Sequence, residues 1–195
     1  MRPRVPHLVS ALVAVIGLFG AIGCGDDELK PPQQRPETVD KLPKLPAGWH
    51  EYVNHRAGFA IGRPPGWRAD RRGTSTLLMS PDRLVAVSIS ADRTSEAIEF
   101  PLGEYARQAA EALPGFEDLD VGKPRRFDAH YQAKAVKATG KTKHGLHQRL
   151  LFIAMRRDQL ATYAVLVAGN AEQESGYYAD EALRMVRTLR GRPIG

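Results

Sequence analysis

His144 and His147 stand three residues apart, with Lys141 and Lys143 beside them, and two imidazoles at that spacing can share a metal ion. Two nitrogen ligands fall short of the three or four that zinc sites use, and the neighbouring cations disfavour a dication, so an exposed polar turn is the competing reading. Ser88 and Ser90 carry hydroxyls able to act as nucleophiles, yet they alternate along an apolar run where a serine more commonly bonds under a helix or meets solvent. No Gly-x-Ser-x-Gly elbow, phosphate-cradling glycine loop, His-Glu-x-x-His or paired-cysteine motif occurs. No catalytic residue, metal ligand or cofactor site is therefore assigned. A triad can still assemble from distant residues, which keeps a lipid- or wall-directed hydrolase as the alternative. His50, His55 and His130 are scattered and read as surface or capping residues.

Two basic sets, Arg68, Arg71, Arg72 and Lys123, Arg125, Arg126, form an anion-binding patch if their two loops meet in space; otherwise they are ordinary solvated surface. The aromatics Trp49, Tyr52, Phe59 and Trp67 offer a stacking surface in one reading. In the other, Phe59 and Trp67 anchor the Pro64-Pro65-Gly66 turn in the core. Nothing here supplies a base-stacking platform, and nucleic acid is not an expected partner.

Cys24 is the only cysteine. It follows a start made positive by Arg2 and Arg4 and an apolar run from Leu8 to Gly23, the layout of an export signal. As a helix that run would span roughly 24 Å, short of the ~30 Å hydrocarbon core. Ala21-Ile22-Gly23-Cys24 resembles the bacterial lipobox, in which the cysteine sulfur receives a diacylglyceryl group before cleavage. The resemblance implies a signal peptide over residues 1–23 and a mature chain that begins at an acylated Cys24, a lipoprotein carrying palmitate-type chains. A lone thiol cannot close an intramolecular disulfide, and acylation removes its redox liability. At about 0.8 kcal/mol per buried methylene, two or three chains anchor stably where one is marginal. The expected location is the extracytoplasmic side of a cell membrane.

Loss of residues 1–23 takes two positive charges from a formal net charge of +6, leaving a mildly basic protein. Such a surface beside a membrane favours an acidic envelope protein, anionic lipid or a wall polymer. Residues 24–46 run through Asp26, Asp27 and Glu28 into Pro31-Pro32-Gln33-Gln34 with only isolated leucines, so they read as a disordered tether. Residues 47–195 remain, the size of one domain.

Within that domain the pattern predicts an α+β fold. Strands are expected at 58–62, 77–80 and 84–90, the last two joined through Pro81-Asp82-Arg83. Leu102, Tyr105, Ala106, Ala109 and Leu113 mark one face of a helix over 102–113, stopped by Pro114-Gly115. Strands follow at 131–139, 148–155 and 161–167. The last two are apolar enough to sit at the sheet centre, covered on both faces. A closing helix over 171–189 aligns Tyr178, Ala182, Met185, Val186 and Leu189.

Gly58-Phe59-x-Ile61-x-x-Pro64-x-Gly66-Trp67 resembles the opening motif of the PsbP-like superfamily, which also holds Mog-type Ran-binding proteins and bacterial lipoproteins of the LpqN and DcrB type. Thr162-Tyr163-Ala164-Val165, the closing helix and Met185-Val186-Arg187-Thr188-Leu189 resemble the way those proteins end. Membership implies a largely antiparallel sheet sandwiched between helices, and a binding or accessory role at the cell envelope without common catalytic residues.

Overall fold

The computed structural model describes residues 44–127, 132–156, 161–171 and 176–192. In chain order, the first strands are β1 (His50–Asn54), β2 (Phe59–Arg63), β3 (Arg68–Arg72), β4 (Ser75–Met79) and β5 (Val85–Asp92). Two helices follow, α1 (Ser95–Glu99) and α2 (Leu102–Glu111), then β6 (Phe116–Val121) and β7 (Arg125–Arg126). The chain closes with β8 (Gln132–Thr142), β9 (His147–Arg156), β10 (Thr162–Asn170), α3 (Gly176–Arg187) and β11 (Arg190–Gly191).

The apolar runs of β9 and β10 pair antiparallel at the middle of a sheet ordered β3-β4-β5-β10-β9-β8-β6, with β7 joining the far end of β8. Period-two alternation gives each of these strands two buried faces. On one, Ile153 and Met155 of β9 join Tyr163 and Val165 of β10 and Val85, Val87 and Ile89 of β5. On the other, Leu150, Phe152 and Ala154 join Ala164 and Leu166.

Each face has its own cover. Ala182, Met185 and Val186 of α3, with Leu189 just beyond it, lie on the first face together with Phe59 and Ile61 of the small antiparallel sheet β1-β2-β11. Met185 and Leu189 are fully buried, worth about 1.5–3 kcal/mol each in apolar transfer. Tyr105, Ala106 and Ala110 of α2, with Ala97 of α1, cover the second face. The result is the expected sheet between helices.

Local chemistry sets the helix ends. Thr94 caps α1 by accepting from the Ala97 N–H at 3.2 Å, and Asp92 Oδ1 in turn accepts from the Thr94 N–H and hydroxyl at 3.0 and 2.8 Å. Arg156 fastens the α1–α2 corner to the sheet. Its guanidinium donates to the Ala97 carbonyl at 2.8 Å, to the Phe100 carbonyl, and to Thr162 Oγ1 at 3.0 Å.

One expectation needs correcting. Arg68, Arg71 and Arg72 are not on a loop but on β3, an edge strand whose exposed side chains leave no apolar alternation to read. The closing helix is described over Gly176–Arg187, inside the expected span, and residues 172–175 lie outside the described residues.

Candidate functional site

Cys24, the export segment 1–23, the tether up to residue 43 and His130 lie outside the described residues. The rest of the singled-out side chains can be placed.

Ser88 and Ser90 are buried, 3% and 5% exposed, on the face of β5 opposite Val87 and Ile89. The described histidines, His50, His55, His144 and His147, are all exposed. Buried hydroxyls and surface imidazoles do not converge. His144 lies in the β8–β9 turn and His147 opens β9, and among the described residues no three His, Cys, Asp or Glu side chains gather as metal ligands.

The two basic sets do not meet. β3 is one edge of the sheet and β7 lies at the other, six strand steps of about 4.8 Å away, or about 29 Å. Arg72 Nε donates to Asp70 Oδ2 at 2.9 Å, so part of the β3 charge is answered locally. Arg125 pairs with Ala135 and Arg126 with Lys134, which turns their side chains to opposite faces. Lys123 is exposed just before β7.

The aromatics are structural. Phe59 is fully buried and Trp67 is 3% exposed, while Trp49 and Tyr52 pack half-buried against the same cluster. Trp67 Nε1 donates to Glu181 Oε2 at 2.5 Å, and its ring meets Tyr178 edge-on with centroids 6.3 Å apart. Above this contact Pro46, Trp49, Asp180, Glu181 and Arg184 line a groove of about 190 Å³. That is smaller than the ~300 Å³ at which ligand pockets begin, so the groove is a seam where the incoming chain meets α3.

The basic group with the clearest geometry is one that sequence reasoning only half found. β8 and β9 alternate without interruption, so Lys137, Thr139 and Lys141 of β8 and His147 and Arg149 of β9 share the face of Ala133, Ala135, Ile153 and Met155. The buried members of that face lie under its cover; these five are exposed beyond it. In register, Lys137 opposes Leu151, Thr139 opposes Arg149 and Lys141 opposes His147. Both lysines are thus diagonal neighbours of Arg149, within about 7–8 Å. Glu117 opposite Lys141 and Asp120 opposite Thr139 offset part of this charge from β6. None of Lys137, Lys141 and Arg149 makes an ion pair among the described residues. The ladder thus gathers three solvated cations on one face, an arrangement that attracts an anion. The period-two spacing of Lys137, Thr139 and Lys141 was the available signal. Arg149 could be added only once the pairing register was known.

By sequence, no family model and no curated protein matches the chain. Its structure does find counterparts. The Ran-binding protein Mog1p of Saccharomyces cerevisiae aligns with a TM-score of 0.52 at 10% identity, over 74% of this chain and 96% of its own. The cyanobacterial PsbP (CyanoP) of Synechocystis sp. PCC 6803 aligns with a TM-score of 0.51 at 10% identity, over 90% and 98%. This chain has the Mog/PsbP-like fold. LpqN of Mycobacterium tuberculosis, described as involved in cell envelope biogenesis, aligns at a TM-score of 0.38 and 14% identity over 78% and 83%. That value is too low to bear on the assignment. In the PsbP-like frame of this chain, α3 and the small sheet leave the basic end of β8 and β9 open. At such identities the likeness fixes the fold and transfers no functional residue.

Among the described residues no helix is long and apolar enough to cross a membrane.

Proposed function

We propose that this chain is an envelope lipoprotein, anchored through acylated Cys24 on the extracytoplasmic side of a cell membrane, whose PsbP-like domain acts by binding an acidic partner without catalysis. The observation that carries the binding half is the exposed trio Lys137, Lys141 and Arg149, held on one face of a rigid strand pair without intramolecular ion pairs among the described residues. The strand pair fixes the spacing of these cations without any backbone ordering on binding, and their common charge steers and selects an anionic partner. The anchoring half is supported by the Ala21-Ile22-Gly23-Cys24 sequence behind an export-like segment. Mog1p, which shares the fold, is a Ran-binding protein, a precedent for binding on this architecture. The hydrolase alternative gains nothing from Ser88 and Ser90, which are buried while every described histidine is exposed.

The test is crosslinking of the full chain in intact cells, comparing wild type with the Lys137→Glu, Lys141→Glu, Arg149→Glu triple variant. A defined crosslinked species that the triple variant loses, with its circular dichroism unchanged, supports the proposal. An identical pattern in both proteins contradicts it.

A further inference from the structure

Leu146 is 55% exposed, and among the described residues no other large hydrophobic side chain is exposed. One exposed leucine is ordinary. Its setting is not. It sits in the turn between β8 and β9, and that turn is fixed: the Thr142 N–H donates to the Leu146 carbonyl at 2.8 Å, and the Leu146 N–H donates back to Thr142 Oγ1 at 3.1 Å. The Gly145 N–H reaches the Thr142 carbonyl at 2.8 Å, and the Lys143 N–H ties the tip to Gly115 at 3.1 Å. Gly145 takes the left-handed conformation, φ +83°, that closes so tight a turn. These hydrogen bonds define the turn that presents the leucine outward.

Its exposed neighbours along the turn and strand ends are Lys141, Lys143, His144, His147 and Arg149; Leu146 sits across from Thr142, so Lys141, His147 and Arg149 flank the tip from the other face of the hairpin. The acids that face them come from β6: Glu117 opposite Lys141, then Asp120 opposite Thr139, with Asp118 at the bulge between. An apolar tip set among cations suits the boundary between headgroups and acyl chains of an anionic bilayer, where both parts are used. A polyanion in water would answer the cations and leave Leu146 without a role. Pro46 and Trp49 meet α3 on the face of the sheet that also carries Lys137, Lys141 and Arg149, so the chain enters the domain on the side of these cations.

We propose that the β8–β9 tip is a second, non-covalent membrane contact, in which Leu146 enters an anionic phospholipid bilayer while Lys141, Lys143 and Arg149 lie among the headgroups. This rests on the lipoprotein reading for proximity and deepens it by naming anionic lipid as the acidic partner of Lys141 and Arg149.

The experiment uses acylated full-length protein carrying His144→Cys, labelled with an environment-sensitive fluorophore. Acylation blocks the Cys24 thiol, and peptide mass spectrometry verifies that only position 144 is labelled. In vesicles of equal phosphatidylglycerol and phosphatidylcholine the emission should shift to the blue; in phosphatidylcholine alone it should not. Adding Leu146→Asp should abolish the shift with the melting temperature unchanged, because the side chain is exposed. Each of Lys141→Ala, Lys143→Ala and Arg149→Ala should weaken docking about fivefold. Equal emission in the two vesicles, or a shift that survives Leu146→Asp, overturns the proposal. So does the same shift produced by a soluble polyanion without lipid, which would assign the surface to a wall polymer or acidic protein. Failure of the anchor is a separate result: the protein would not float with phosphatidylcholine vesicles at all.

Discussion

The indole N–H of Trp67 and the carboxylate of Glu181 meet at 2.5 Å across the join between the Pro64-Pro65-Gly66 turn and α3. Residues 114 positions apart in sequence are thereby tied beside the point where the tether enters the domain.

Glu181→Ala leaves the buried indole N–H without its acceptor. The expected loss is about 2 kcal/mol, or about 4–8 °C in melting temperature for a domain of this size. Glu181→Gln keeps an acceptor oxygen and should recover most of it. Equal melting temperatures for wild type and Glu181→Ala would show that the contact contributes nothing.

Gly58 and Gly73 both adopt positive φ, +66° and +59°, in very different surroundings. A Cβ at Gly73 meets open space, whereas at Gly58 it would lie 2.0 Å from the Arg93 guanidinium and 2.8 Å from the Arg192 carbonyl. Gly73→Ala should therefore cost only the left-handed backbone penalty, about 1–2 kcal/mol. Gly58→Ala should cost clearly more, because Arg93 also donates to the Ala57 carbonyl at 3.1 Å and must give up its place. Chemical denaturation of the two variants side by side distinguishes crowding from backbone strain.

Tyr105 is 3% exposed and its hydroxyl has no hydrogen-bond partner among the described residues. Burial pushes the phenol above its ordinary pKa, and the nearby Asp92 carboxylate pushes it the same way. Tyr105→Phe removes an unanswered polar group, so the melting temperature should hold or rise. A fall of several degrees would show that the hydroxyl is bonded after all.

Arg107 donates to Glu104 on the surface of α2 and holds that carboxyl below its ordinary pKa. A carboxylate with a depressed folded-state pKa stabilises above its unfolded value, about 4.3, and that contribution is lost as the pH falls through the lower folded value. The pair is exposed, so the effect is small. Acid unfolding curves of Glu104→Gln should flatten slightly below about pH 4.3 relative to wild type and coincide at neutral pH once the baseline shift is removed. A steeper acid fall in the variant would contradict the assignment.

The fold was legible wherever one face or both were buried. β9 and β10 show long apolar runs because both covers press on them, and α3 shows its stripe because Ala182, Met185, Val186 and Leu189 are 1% exposed or less. Elements at edges gave no such signal. β3 reads Arg-Ala-Asp-Arg-Arg, with only Ala69 partly buried, and β6 is broken by a register shift between Glu117 and Asp120. α1 has a single buried residue, Ala97, too little to make a periodicity. The candidate surface was legible for the same reason only in part. Lys141, Lys143, His144 and His147 are neighbours in the sequence, but Lys137 and Arg149 join them through the β8–β9 register, which composition does not encode.

The account depends on the sulfur of Cys24, and mass spectrometry of the amino-terminal peptide of native protein, extracted from its own membranes, reads that sulfur directly. The predicted result is a chain that begins at Cys24 and carries the added mass of a diacylglyceryl group. An unmodified thiol at Cys24, or a chain that begins elsewhere and is recovered free of membrane, would contradict it.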